Sequence, residues 1–262
     1  GSATWSGTSV GNALGNSGIT FTTPVTRYWV ATSGGNWSAT TSWSDSSDGS
    51  SGSSVPLCHD TVVFDANSIS SASKTITADM PRVPALDFSN VANSPTLNFS
   101  VKTLDLFGSV NFTGLGAFSS VDPMNFYGRG THTITLNNLQ PSTLGFFCYG
   151  GTYTFQDNIT HALNGLAFYA GTIDINDNDF VGAYIKDQAN GTTVYLGNGE
   201  LTLNSTGSVI QINSSTWYPE NASIVVNNTT STIKRFESNG LTWNSLTITG
   251  DNVEIQDGGT FN

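Results

Sequence analysis

Charge is what this chain has least of. Only 10% of its 262 residues are Asp, Glu, Lys or Arg, against about 25% in ordinary globular domains. The eight basic residues are scattered singly apart from Lys234-Arg235, and the net charge is −11. Duplex binding needs clustered Lys and Arg to displace counterions, so nucleic acid is excluded as a partner. Long apolar runs are missing too. None approaches the roughly 20 residues of a membrane helix, so no membrane insertion is expected. Two cysteines, Cys58 and Cys148, are too few for a structural zinc site, and their spacing fits no redox motif. Two free thiols are the expected state, with a disulfide as the alternative. The opening residues carry no signal-peptide pattern.

Helix signals are nearly absent as well. Runs of Ala, Leu, Glu and Lys at helical spacing do not occur. Ser, Thr, Asn and Gly supply the polarity instead. What is present is short alternation. Thr75-Ile76-Thr77, Thr96-Leu97-Asn98-Phe99, Thr172-Ile173-Asp174-Ile175 and Ser223-Ile224-Val225-Val226 are four of more than a dozen such segments. Each has one apolar and one polar face, and Gly, Asn, Asp or Ser punctuates most of them.

The spacing of these segments points to an architecture. Ile134, Tyr153, Ile173, Val194 and Ile210 step by 19, 20, 21 and 16. Leu104, Phe126, Phe146, Leu166 and Ile185 step by 22, 20, 20 and 19. A repeat of roughly 20 residues, holding two or three short strands, is what a β-solenoid (β-helix) rung requires. A β-sandwich, the alternative, would use longer strands and hairpins. Three segments are expected: residues 1–26 as an N-terminal strand or the end of a preceding module, 27–68 as a Trp-rich entry segment, and 69–262 as the solenoid ladder. The sequence ends in GDNVEIQDGGTFN without a polar cap. The expectation is a piece of a longer protein, or an end covered by partners.

Residues 27–68 hold Tyr28-Trp29, Gly35-Asn36-Trp37-Ser38 and Trp43. A tract with seven serines in residues 44–54 follows, then Asp60 to Asp65. This order resembles long repetitive β-solenoid proteins of phages and environmental bacteria, and the later LDLFGSVNF, GGTYTFQDN and AGTIDIN resemble their rungs. The resemblance implies a virion-associated or cell-surface structural protein, such as a tail fibre or adhesin, located on the virion or outside the cell. It implies no catalytic residues. Expected partners are other copies or modules of the same protein, a homotrimer among them, and a cell-surface glycan.

Candidate chemistry is sparse. Trp37 and Trp43 are the candidate glycan platform, and burial as the plug of the first rung is the competing reading. Asp174, Asn176 and Asn178 occupy the first, third and fifth places of an EF-hand-like count. Asp179 and Ile185 stand where that loop requires Gly and Glu, so calcium is a candidate cofactor against a plain solvated turn. Asp174, Asp177, Asp179 and Asp187 are the densest acidic group, the place to look for the paired carboxylates of a polysaccharide-degrading, tailspike-like enzyme. A lyase would need His161, Lys186 or Arg129 brought to such a site. Cys58-His59-Asp60 is reactive only if folding places a base on the thiol; otherwise Asp60 caps a turn. The tract 44–54 reads as an exposed flexible loop.

Overall fold

The structure, a computed structural model, describes residues 5–119, 122–160, 165–189, 191–204, 208–213, 215–228, 233–256 and 258–261. Among them there is no α-helix, only a 3-10 turn at Thr40–Ser42. The protein is an all-β solenoid with rungs of about 21 residues. The chain forms two compact units, Gly1–Arg129 and Gly130–Asn262. The division falls inside the segment read from the sequence as one ladder.

In the first unit, Gly35–Asn36, Thr75–Ala78, Thr96–Phe99 and Ala117–Phe118 stack as parallel neighbours. Ile76 pairs with Leu97 and Leu97 with Phe118, one rung further each time. A second face carries Arg82–Val83, Leu104–Leu106 and Met124–Phe126. In the second unit one column runs Ile159, Phe180, Leu201, Ile224, Leu246 along five paired strands. Another runs Tyr153, Ile173, Val194, Trp217. Parallel pairing is forced by a coil whose every turn repeats the direction of the last. Among the described strand pairings only Thr26–Trp29 with Trp43–Ser44 is antiparallel.

Strand burial follows the alternation. Thr96–Phe99 and Thr192–Tyr195 each bury every second residue. The inward side chains stack from rung to rung. Phe64 lies on Phe88 with ring centroids 4.3 Å apart, and Phe88 approaches Phe112 at 6.2 Å. Turn residues serve the next rung as well as their own. Asn158 Oδ1 accepts from Asp179 N, and Asp179 Oδ1 accepts from Glu200 N, 2.9 Å. Asn244 Nδ2 donates to Asn221 O. At Ser245–Gly250 the inward register continues, but Ile248 is exposed whereas its partner Val226 is buried.

The anchors chosen from the sequence fall on the correct face and partly in the wrong register. Tyr153, Ile173 and Val194 are true partners, as are Leu166 and Ile185. Ile134 pairs with Phe155 rather than Tyr153, Val194 with Trp217 rather than Ile210, and Leu104 with Met124 rather than Phe126. In the first and last of these the slip is by two positions. It keeps a side chain on the same face of a strand, so apolar periodicity cannot detect it.

Phe88→Ala removes a fully buried ring that stacks on Phe64 and packs against Phe112, and is expected to lower unfolding free energy by roughly 3–5 kcal/mol. Ile248→Ala, on an exposed side chain, should cost less than about 1 kcal/mol. Urea titration of both variants checks the contrast.

Candidate functional site

The tryptophan segment is an aromatic knot. Trp29 and Trp37 each meet Trp43, with centroids 5.1 and 4.7 Å apart and edge-to-face geometry. Phe64 closes the group at 5.9, 6.2 and 6.4 Å from Trp29, Trp37 and Trp43. Such offset and edge contacts are favoured by the ring quadrupoles. The 3-10 turn at Thr40–Ser42 and the antiparallel step fold the chain back so that Trp43 pairs with Trp29. Trp43 Nε1 donates to Trp37 O at 2.7 Å, and Trp29 Nε1 to Ala31 O at 3.1 Å.

Trp37 and Trp43 are both 0% exposed, and Trp29 is 1% exposed. Neither member of the expected glycan platform offers a face to a sugar. The reason is local: a rung made of Ser, Thr and Gly has little else to fill its interior. The aromatic knot feeds directly into the Phe64, Phe88, Phe112 column.

The serine tract is exposed over residues 45–48 but tied at several points. Arg27 bonds Ser54 through Nε to the carbonyl and through Nη2 to Oγ, and pairs with Asp45 Oδ1 at 2.7 Å. Gly52 N and Ser53 N both donate to Trp43 O, and Ser44 is buried. The loop expected to be flexible is thus anchored at both ends.

Asp60 caps a turn. Its Oδ2 accepts from Leu57 N at 2.7 Å and its Oδ1 from Val25 N at 2.9 Å. His59 Nδ1 accepts from Asn12 N, and Nε2 faces Asp60 Oδ1 at 3.6 Å, too long for a hydrogen bond. Neither nitrogen serves the Cys58 thiol as a base. Both cysteines are free. Burial pushes the Cys58 thiol up, and pushes Cys148 up to about 11, which disfavours the nucleophilic thiolate.

The acidic group of the second unit does not converge on a pair. Asp174 Oδ1 accepts from Asn176 N. Asp177 Oδ1 accepts from Asn198 N and Nδ2, and Asp179 Oδ1 from Glu200 N. Asp187, fully buried, accepts from Ala189 N and Asn213 N. Each carboxylate holds a turn of its own rung or the next. The residues expected to bind calcium are also occupied. Asn176 Nδ2 and Asn178 Nδ2 both donate to Phe155 O, at 2.9 and 3.2 Å. Their amides are therefore turned to the backbone as donors. Among the described residues there is no cluster of three His, Cys, Asp or Glu side chains placed to hold a metal. His161 lies outside the described residues. Lys186 sits 4.5 Å over the Tyr184 ring, and burial lowers its pKa.

Among the described residues each unit carries an open cleft. The first, about 360 Å³, is lined by Gly11, Ala13, Cys58, Arg82, Asp105 and the stacked Phe107–Tyr127 pair. Burial raises the Asp105 carboxyl, while Asn125 and Arg82 act to lower it. Asp105 is the one carboxylate among the described residues of that lining, and no second one is paired with it there as glycoside hydrolysis needs. The second cleft, about 390 Å³, lies along Tyr149–Thr152, Ala170–Thr172, Gly191 and Thr193. No sequence pattern announced either cleft, because each gathers residues from three or more rungs. No family model matches the sequence, and no curated protein or solved structure matches it.

Trp37→Ala is expected to destabilise by roughly 3–5 kcal/mol, seen as a large fall in the denaturation midpoint. With a thiol reagent near pH 8, Cys58 should label slowly in the native state. Cys148 should label only after unfolding, as mass spectrometry of peptides from native and denatured samples would show.

Proposed function

We propose that the chain is a non-catalytic structural module, a stiff solenoid segment of an extended virion or bacterial surface protein. Its work is to hold side faces and loops out to solvent at fixed positions. One observation carries this reading: inward side chains stack in register over successive rungs, as in the Ile159, Phe180, Leu201, Ile224 column. Such an array resists bending because displacing one rung breaks both its backbone ladder and its apolar contacts with two neighbours.

Two further features support it. Three of the densest carboxylates, Asp177, Asp179 and Asp187, accept from backbone amides of the next turn, which suits them to holding rungs together. The sequence is rich in Ser, Thr and Asn and sparing in charge, which suits a surface that exposes many hydroxyls. A tailspike-like polysaccharide-degrading enzyme is the competing reading, and the described residues of these two clefts supply it with no paired carboxylates.

Deleting residues 180–200 removes one whole turn, because Phe180 and Leu201 occupy the same column. The shortened chain should keep its β-type circular dichroism and one cooperative transition, with a modest loss of stability. Failure to fold would sink the modular reading. Prolonged incubation of the intact protein with a panel of bacterial polysaccharides should release no new reducing ends; steady release would establish the enzyme instead.

A further inference from the structure

The two longest strands of the second unit, Leu144–Phe155 and Leu166–Asp174, each turn a corner of the coil. Their pairing is regular at Phe146↔Phe168 and again at Thr152↔Thr172, with register shifts between. Residues 147–151 therefore stand opposite residues 169–171. The surplus chain bulges outward and lifts Tyr149 to 60% exposure. Bulges of this kind re-aim side chains, and they are common beside binding sites.

Tyr149 rises beside a ladder of hydroxyls. Thr131 pairs with Thr152, Thr152 with Thr172, Thr172 with Thr193, and Thr193 with Thr216. Five successive rungs thus present threonine at one outward position, spaced by about 4.8 Å as neighbouring strands are. Two positions further along the same strands, Tyr195 and Tyr218 stack at 4.7 Å and 7°, with Tyr218 44% exposed. Gly171 lines the cleft between Tyr149 and the ladder, where the bulged strand packs closely against it. A Cβ there would meet Cys148 O at 2.3 Å, and its φ of +95° disfavours other residues.

The chemistry of the lining is narrow. Among the described residues it has hydroxyls that both donate and accept, aromatic surface, backbone, and no charged side chain. Such a site has no cationic side chain to neutralise a phosphate or carboxylate, and a desolvated, uncompensated anion would be unfavourable there. A neutral sugar suits it. Sugar hydroxyls match the threonine ladder, and the CH face of a ring matches Tyr149. An extended glycan has a rise per sugar close to the rung spacing, so successive sugars would meet successive rungs.

We propose that this threonine-floored cleft beneath Tyr149 is a binding site for a neutral, extended glycan. It gives the structural module a face that holds a polysaccharide without cutting it. The site rests on that structural reading and differs from the one expected at Trp37 and Trp43, whose rings are enclosed.

The test is isothermal titration of the full chain with neutral hexasaccharides (β-glucan, α-glucan and mannan) and with an oligogalacturonate of the same length. One or more neutral hexasaccharides should bind. Tyr149→Ala should weaken that binding roughly tenfold, and the near-isosteric Thr193→Val by roughly three- to tenfold. Melting temperatures should stay close to the parent. Asp105→Asn, in the other unit, should leave binding unchanged. The proposal is overturned if no neutral hexasaccharide binds at millimolar concentration. It is equally overturned if binding survives both cleft variants intact, or if the oligogalacturonate binds more tightly. Cleavage of a bound hexasaccharide would instead overturn the non-catalytic reading and leave the cleft as its site, so the two failures are distinguishable.

Discussion

Everything in this protein depends on one constraint: a side chain that points inward must meet its counterpart one rung away. Ile76 is useful because Leu97 lies next to it in the pairing, and Leu97 because Phe118 does. Such short strands could not form an isolated sheet. They persist because neighbouring rungs pair with them and clamp an apolar residue of each in a column. The outer positions are then free of any packing duty. Threonine can recur there on five rungs, and asparagine and aspartate can link one turn to the next.

The same constraint explains the aromatic knot. Where inner side chains of neighbouring rungs are aliphatic, small spacings fill the interior. The segment from Thr26 to Ser54 has no such supply, and Trp29, Trp37 and Trp43 with Phe64 provide the volume. Their burial closes that rung, and it removes them from any role that needs an open ring face. The most exposed aromatic groups lie elsewhere, on the outside of the second unit. There a bulge and an outward strand position, rather than a tryptophan motif, display Tyr149 and Tyr218.

The inward face of nearly every strand is legible in the sequence. Register is legible only in places. Tyr153, Ile173 and Val194 can be matched because the intervening turns are of similar length. Ile210 does not continue that column; it belongs with Ile185, and Trp217 follows Val194. The turns there differ in length, and periodicity does not count loop residues. The acidic turn is recognisable as a turn. That Asn176 and Asn178 both donate to Phe155 O is not, because Phe155 lies a full rung away.

The order of residues alone is enough to make this an all-β coil. Alternation of period two, short strands, Gly and Asn at the breaks and the lack of helix formers leave few other ways to bury the apolar half. Which outward residues share a surface was settled by folding, because neighbours on that surface come from different turns. Thr152, Thr172 and Thr193 are each a full rung apart in the chain and adjacent on the molecule. A binding face on a solenoid runs across the rungs, at right angles to the direction in which the sequence is written.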